Sequence, residues 1–330
     1  MTLRRAMFIL ALLLLWVMVH PSRAHAWAPG THIYLGESIL ANLRLLPSTV
    51  AALLQAFPFD FLYGTIAPDT SIAKKYVPPG RHSHFWAVGR ETYDLAPSDA
   101  LRAFGLGYLS HLAADTVAHN YFVPRQLLLT PTTKSMGHTY WEARVENQLG
   151  SHWVRKAREI IQVDQRAANQ HLERIISPTI FSVKTNRRIF HGMVRLSHNR
   201  SFQRAMQAAM DRSRWMLNEQ DIERHLQVAY DRTIEMLSAS EKDVGEASAI
   251  ALDPNGAQAL RAAKRLRRKE LGLGTLGSPS RLLELAEDRF GIRPERASPW
   301  TRSDVSKPWD QRSGVHHAPA SGPMASLAGE

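Results

Sequence analysis

The sequence predicts an all-α protein built around one long buried helix. Apolar residues recur at three- and four-residue steps over most of the chain. No stretch sustains the polar/apolar alternation of a half-buried strand, and there is no internal repeat. The run that starts at Ser98, a helix-capping residue, carries Leu101, Phe104, Leu109 and Leu112 and meets no proline before Pro124. The expected organisation is a multi-helix domain over residues 27–250, followed by a basic, largely disordered tail over 251–330.

Residues 1–26 read as an export signal peptide. Arg4 and Arg5 charge the start, Met7 to Val19 is apolar, and Ala24-His25-Ala26 has the small-x-small form of a cleavage site. As a helix the apolar run would span ~20 Å, short of a bilayer core of ~30 Å, which disfavours a retained anchor. The expected mature chain is therefore exported, periplasmic or secreted, and begins at Trp27. Pro29-Gly30 reads as a turn that could fold His32 back beside the new amino group. A free amine and its neighbouring carbonyl can chelate a metal through a five-membered ring. The alternative for Trp27 is a simply packed indole.

Helices are expected from Tyr34 to Leu46 and from Ser48 to Phe57, both apolar at helical spacing. Gly64-Thr-Ile-Ala-Pro68-Asp69 is turn-rich and ends in a carboxylate that its loop can aim inward. Pro78-Pro79-Gly80 puts His84 on a loop entering the core, with His82 competing for any role given to it. Beyond the long helix, a loop through Pro124 and Pro131 leads to a further helix opened by Gly137-His138 and containing Glu142.

From Val145 to about Ser240 the helical pattern is continuous. Leu172, Ile175 and Ile176, then Phe202, Met206, Met210 and Trp215, then Ile222, Leu226, Tyr230 and Met236 mark packing faces, with the methionines as core filler. Composition changes near Asp253. Arg261 to Lys269 is a basic run, either a solvated helix face or a contact for the phosphates of an anionic membrane surface. Leu282 to Phe290 has the pattern of one short helix, and the stretch after Gly291 is rich in Pro, Ser, Ala and Gly.

The net charge is +11, or 11 − 3 = +8 without Arg4, Arg5 and Arg23 of the leader, which holds no acid. A basic protein favours anionic partners such as phospholipid surfaces or nucleic acid. There is no cysteine. Disulfides and thiolate metal sites are excluded, so any zinc must be held by His, carboxylate or backbone groups.

His111, Asp115 and His119 are spaced four residues apart. On a helix each is turned only ~40° from the last, so they line one face over ~12 Å, with Asp115 midway. Exposed faces normally carry Lys, Glu and Arg. Two imidazoles and a carboxylate among Ala and Leu are metal-ligand chemistry. A single His/Asp pair is commonly a hydrogen-bonded core pair, and His138 with Glu142, again four apart, would alone be a surface pair. It is their combination that points to metal.

In chain order the candidates are Trp27, His32, Asp69, His84, His111, Asp115, His119, His138 and Glu142. Over about Trp27 to Gly150 this series resembles the zinc-dependent phospholipase C family, whose exported bacterial members hold a trinuclear zinc site. In that family an N-terminal Trp binds zinc through its amine and carbonyl, and the other ligands follow in the order found here. The resemblance implies two or three zinc ions and a multi-helix phospholipase C-like fold. One ion would be held by Asp69, His84, His111 and Asp115, and a second by His119, His138 and Glu142. The third would take Trp27, His32 and the shared Asp115. The implied activity is hydrolysis of a phospholipid phosphodiester by metal-activated water, with Asp69 orienting or deprotonating that water.

Two features depart from the bacterial phospholipases C. Their third helix histidine comes later, whereas His-x3-Asp-x3-His looks like the catalytic domain of glycosylphosphatidylinositol-specific phospholipase D, which leaves C-type and D-type cleavage both open. The acid that some members carry three positions after the N-terminal Trp is replaced by Gly30. Two other functions compete. Single-strand-specific nucleases of the same superfamily share the Trp-x4-His start and would use aromatic platforms such as Tyr121, Phe122, Tyr140 and Trp141. A non-catalytic exported protein would use zinc only to hold its fold.

Overall fold

The computed structural model describes residues 27–71, 76–78, 80–130, 137–197, 199–211, 217–239, 250–272 and 279–292. Residues 1–26, where a leader is expected, Pro131, Trp215 and the stretch beyond Ile292 lie outside the described residues. Helix α1 (Pro29–Leu40) opens with Pro29 in its first turn, where a missing N–H costs nothing. It starts earlier and ends sooner than the periodicity predicts. Asn42 ends it, because its side-chain amide donates to the Ser38 carbonyl at 2.9 Å and diverts the backbone into a 3-10 turn over Leu43–Leu45.

Helices α2 (Ser48–Ala56) and α3 (Pro58–Gly64) follow, then a 3-10 turn over Ala67–Thr70 that carries Asp69. Helix α4 (Trp86–Asp94) begins just past His84. Helix α5 (Asp99–Val117) is the axis of the molecule. Ser98 caps it, its Oγ accepting the Leu101 N–H at 3.4 Å, and every residue from Ala103 to Val117 is buried. A helix buried on all sides belongs at the centre of a bundle, and α3 and α4 pack directly against it. Where α3 crosses α5, a Cβ added to Gly107 would lie 2.9 Å from the Gly64 Cα and would overlap the Phe61 carbonyl. The two backbones touch, so only glycine fits.

The rod does not end at its proline. Ala118–Phe122 forms a π turn, closed by the Val123 N–H bonding to the Ala118 carbonyl, and α6 (Val123–Leu129) continues from it with Pro124 in the first turn. The expected loop at Pro124 is therefore helix. The wide turn places the proline where no ladder N–H is needed.

Helix α7 (Gly137–Leu149) carries His138 and Glu142. The long periodic stretch after it resolves into α8 (Ser151–Ile160), α9 (Arg166–Ile175), α10 (Val183–Ser197), α11 (Arg200–Asp211) and α12 (Glu219–Ser238). Gly150, with φ +100°, and Pro178 stand at two of the breaks. Leu172, Ile175, Ile176, Met210, Ile222, Leu226, Tyr230 and Met236 are buried, and α12 closes over α5.

Helical structure continues well past residue 250. Helices α13 (Ala257–Gly272) and α14 (Pro279–Phe290) both pack on α6. Ala263, Leu282, Ala286 and Phe290 are buried there, and the Arg125 guanidinium pairs with Glu287 at 2.6 Å and Asp221 at 3.3 Å. Within the stretch expected to form a tail from 251, the described helices α13 and α14 are thus packed against the domain. Arg261, Lys264, Arg265, Arg268 and Lys269 are exposed along α13. Among the described residues there is no strand, and no helix is long and apolar enough to cross a membrane.

Candidate metal centre

Helix α5 brings His111 and Asp115 to the middle of the fold, and His32, Asp69, His84, His119, His138 and Glu142 come from neighbouring elements. Three groups of side chains each place their ligand atoms within 4.8 Å of one another: His32 with His111 and Asp115, Asp69 with His84 and His111, and His119 with His138 and Glu142. Asp115 stands between the first two. Its Oδ1 lies 3.3 Å from His32 Nε2, and its Oδ2 lies 3.2 Å from His111 Nε2 and 3.3 Å from His84 Nε2. Asp69 Oδ1 is 3.2 Å from His84 Nε2. In the third group His138 Nε2 sits 2.7 Å from Glu142 Oε1 and 2.9 Å from His119 Nε2. The first two groups are fully buried, whereas His138 keeps 19% of its surface, so the third is the one open to solvent.

The far side of each central ring decides what the near side can do. His111 Nδ1 lies 2.8 Å from the Thr65 carbonyl, and His119 Nδ1 is bonded to the Pro254 carbonyl. A carbonyl only accepts, so Nδ1 donates in both, which directs Nε2 of each ring towards the centre, where a neutral ring offers it as a metal ligand. Nε2 of each ring faces a further potential metal ligand: His111 Nε2 the Asp115 carboxylate and His119 Nε2 the His138 Nε2 at 2.9 Å. His32 Nε2 and both carboxylate oxygens of Asp115 have no hydrogen bond of acceptable geometry, although they are buried. Buried acceptors facing one another are costly unless a cation lies among them.

The local field says the same. Burial alone would raise the Asp115 pKa, but the charge of His111 and the contacts with His111, His32 and His84 hold it well below the usual carboxylate range. Burial lowers the His32 pKa, and the neighbouring His111 lowers it further. At His111 burial also works downward but is outweighed by Asp115 and Asp69, so its pKa rises. The centre is built for positive charge.

His82 does not join the groups; its Nδ1 accepts the His84 N–H at 3.0 Å and shapes the loop. Ser83 supports the same loop, with Oγ 3.1 Å from His84 Nδ1 and its carbonyl accepting from the Tyr108 hydroxyl at 2.6 Å. Trp27 is fully buried against α5, its indole Nε1 donating to the Ala114 carbonyl at 3.1 Å and its ring stacked on Phe122 at 5.2 Å. Phe122 and Trp141 are core residues, while Tyr121 and Tyr140 are half-buried. One turn beyond Glu142, Glu146 accepts the Gly30 N–H at 2.6 Å and lines a cavity of about 340 Å³ with Val154, Phe202 and Gln207. That cavity is not lined by the metal groups.

Residues 31–186 match the family model described as zinc dependent phospholipase C. Over this segment the chain is similar to the zinc-dependent phospholipase C family. No curated protein and no solved structure matches the chain. The matched segment holds every candidate from His32 to Glu142, whereas Trp27 and the Pro254 carbonyl lie outside it. The donor set present, imidazole and carboxylate without thiolate, is compatible with the zinc of a zinc-dependent phospholipase C.

The backbone acceptors Thr65 and Pro254, and the support given by Ser83 and Tyr108, are not apparent from the sequence. Only Asp253-Pro-Asn-Gly256 carries a local signal, that of a turn, and nothing in it says where the turn docks.

Proposed function

We propose that this protein is an exported, zinc-dependent phosphodiesterase acting on phospholipids. The reading rests on one observation above all: two buried imidazoles, each fixed at Nδ1 by a backbone carbonyl, present Nε2 to further metal-ligand side chains, His111 to Asp115 and His119 to His138 beside Glu142. His32, Asp69, His84, His111 and Asp115 would hold zinc in the buried part of the centre, and His119, His138 and Glu142 at its open edge. The amine and carbonyl of Trp27 would complete the set after removal of 1–26. Bound zinc supplies Lewis-acid stabilisation of a phosphate and a water of lowered pKa.

The chain's own groups do the rest. Asp69, held on a short turn beside His84, orients the attacking water and accepts its proton. The partly exposed His138 marks the side from which a phosphodiester approaches. The burial of Phe122 and Trp141 removes two of the aromatic platforms a single-strand nuclease would use, which favours the lipid reading.

The mature protein, zinc-loaded and after chelation, should be assayed against a chromogenic phosphocholine diester, phospholipid vesicles and single-stranded DNA. Hydrolysis of the first two that chelator abolishes is expected, and the released headgroup, phosphorylated or not, reports C-type or D-type cleavage. Cleavage of DNA alone would replace this reading with the nuclease. No zinc-dependent turnover of any substrate would leave the centre a structural one.

A further inference from the structure

The turn between α12 and α13 runs across the metal centre from outside the segment that defines the family. Trp86 Nε1 donates to the Leu252 carbonyl at 3.0 Å, and Asn120 Nδ2 to the Asp253 carbonyl at 2.9 Å. Pro254 accepts from His119 Nδ1, and Asn255 Nδ2 donates to the His84 carbonyl at 2.9 Å. His84 and His119 belong to different groups of the centre. One short stretch of chain therefore grips both.

The turn is itself rigid. Asp253 Oδ1 accepts the Asn255 N–H at 2.9 Å, Oδ2 accepts the Ala257 N–H at 3.2 Å, and the Asp253 carbonyl accepts the Gly256 N–H at 2.9 Å. This Asx-type cap also starts α13. Gly256 adopts φ +52° directly against His119, where a Cβ would run into the His119 carbonyl. Only glycine allows both that conformation and that approach.

We propose that Leu252–Gly256 is a positioning strap for the metal centre, with Pro254, Asn255 and Gly256 acting through His84 and His119. The Pro254 carbonyl holds the His119 proton on Nδ1 and so reserves Nε2 for the metal. Asn255 fixes the loop of His84 from the other side. Together they set the separation of two metal groups that the family segment places on different elements. The proposal rests on the zinc reading above and extends it: the competent centre reaches some seventy residues beyond the family segment, from Asn186 to Gly256.

The test uses the full mature chain and reads zinc rather than turnover. Zinc affinity is measured by competition with a chromogenic chelator for the unaltered protein, Asn255→Ala, Gly256→Ala and the surface control Arg265→Ala. Thermal unfolding is followed with and without zinc. The expected result is zinc binding weakened on the order of 10-fold or more in both strap variants, as for outer-sphere partners of metal ligands, with the control unchanged. The melting-temperature gain produced by zinc should shrink as well. Equal losses of stability with and without zinc, at unaltered zinc affinity, would make the strap merely structural and overturn the proposal. Asn255→Ala removes one side chain at the surface of the turn, so the test does not hang on the more disruptive glycine variant. If the unaltered protein binds no zinc, the zinc reading falls with it; unchanged affinity in the variants sinks the strap alone.

Discussion

Asp115 faces His32 with one carboxylate oxygen, Oδ1 at 3.3 Å from Nε2, and turns the other towards His84 and His111. Neither oxygen accepts a hydrogen bond, although the residue is completely buried. A carboxylate that divides its oxygens between two sets of imidazoles is placed to bridge two cations. It is also the only negative charge that α5 itself brings into the centre. Its loss should be felt on both sides at once.

Asp115→Asn is therefore expected to be the most damaging single change. The amide keeps the shape but replaces one oxygen with an NH2 donor and removes the charge. Zinc affinity should fall by more than the ~10–100-fold typical of outer-sphere changes, and phosphodiester hydrolysis should fall with it. Elemental analysis together with turnover measures this. A variant with full zinc content and full activity would show that Asp115 does not bridge.

A second expectation concerns the helix crossing that holds α5 in place. Gly107→Ala inserts a methyl group against the Gly64 Cα and the Phe61 carbonyl, both of them backbone that cannot rotate away. Over-packing of this kind costs ~1–3 kcal/mol, and here it should lie at the upper end. Urea unfolding of zinc-free protein gives the number. A loss below ~0.5 kcal/mol would mean that α3 and α5 separate without cost, against their close approach in the fold.

The axis was legible because its signals are local. Ser98 caps it, the apolar run is long, and the four-residue spacing of His111 and Asp115 maps directly onto one face, whereas His119 falls in the π turn that follows α5. The all-helical class followed from periodicity in the same way. What could not be read depends on distant backbone. The π turn before Pro124 exists because the chain around it is packed as helix, and a proline in sequence signals the opposite. Thr65 and Pro254 act through carbonyls, which every residue has. The packed helices after residue 250 sit in a segment whose charge reads as solvated, yet Arg125 and Arg267 tie them to α6, the latter by donating to the Leu128 carbonyl at 2.6 Å.

The pH dependence of stability gives a third check. Burial pushes the Glu146 pKa from 4.5 up to about 7, partly opposed by the Gly30 N–H. The residue keeps some exposed surface, but its carboxylate is enclosed. Because the folded pKa is raised, the folded state keeps a proton that the unfolded chain has already lost between these two values. Its contribution is fully present below pH 4.5 and is lost as pH rises through about 7. Half-buried Asp231, likewise raised to about 7 by desolvation, acts in the same direction. Glu146→Gln should make the decline in stability between roughly pH 5 and 8 shallower, and Asp231→Asn should flatten it further. Urea titrations in excess chelator, which removes zinc linkage, are the measurement. An unchanged slope in Glu146→Gln would show that this carboxylate ionises normally in the fold.

The last expectation separates the two ends of Trp27. Its indole has a structural role visible in the fold: Nε1 bonds to the Ala114 carbonyl at 3.1 Å and the ring stacks on Phe122 at 5.2 Å. Trp27→Phe should therefore lower stability by ~1–3 kcal/mol through the lost indole hydrogen bond and the smaller buried ring, the Ala114 carbonyl keeping its helical bond from the Ala118 N–H and the backbone staying in place. The proposed metal role belongs to the amine and carbonyl instead. Adding one alanine before Trp27 turns the amine into an amide, a poor donor to a metal, without disturbing the indole. The extended protein should hold one zinc fewer per chain and turn over more slowly, with a melting temperature in chelator equal to that of the unextended form. Trp27→Phe should show the reverse pattern, with full zinc and reduced stability. If extension changes neither zinc content nor rate, Trp27 is a packing residue only, and the group around His32 must draw its remaining ligands from water or from His111.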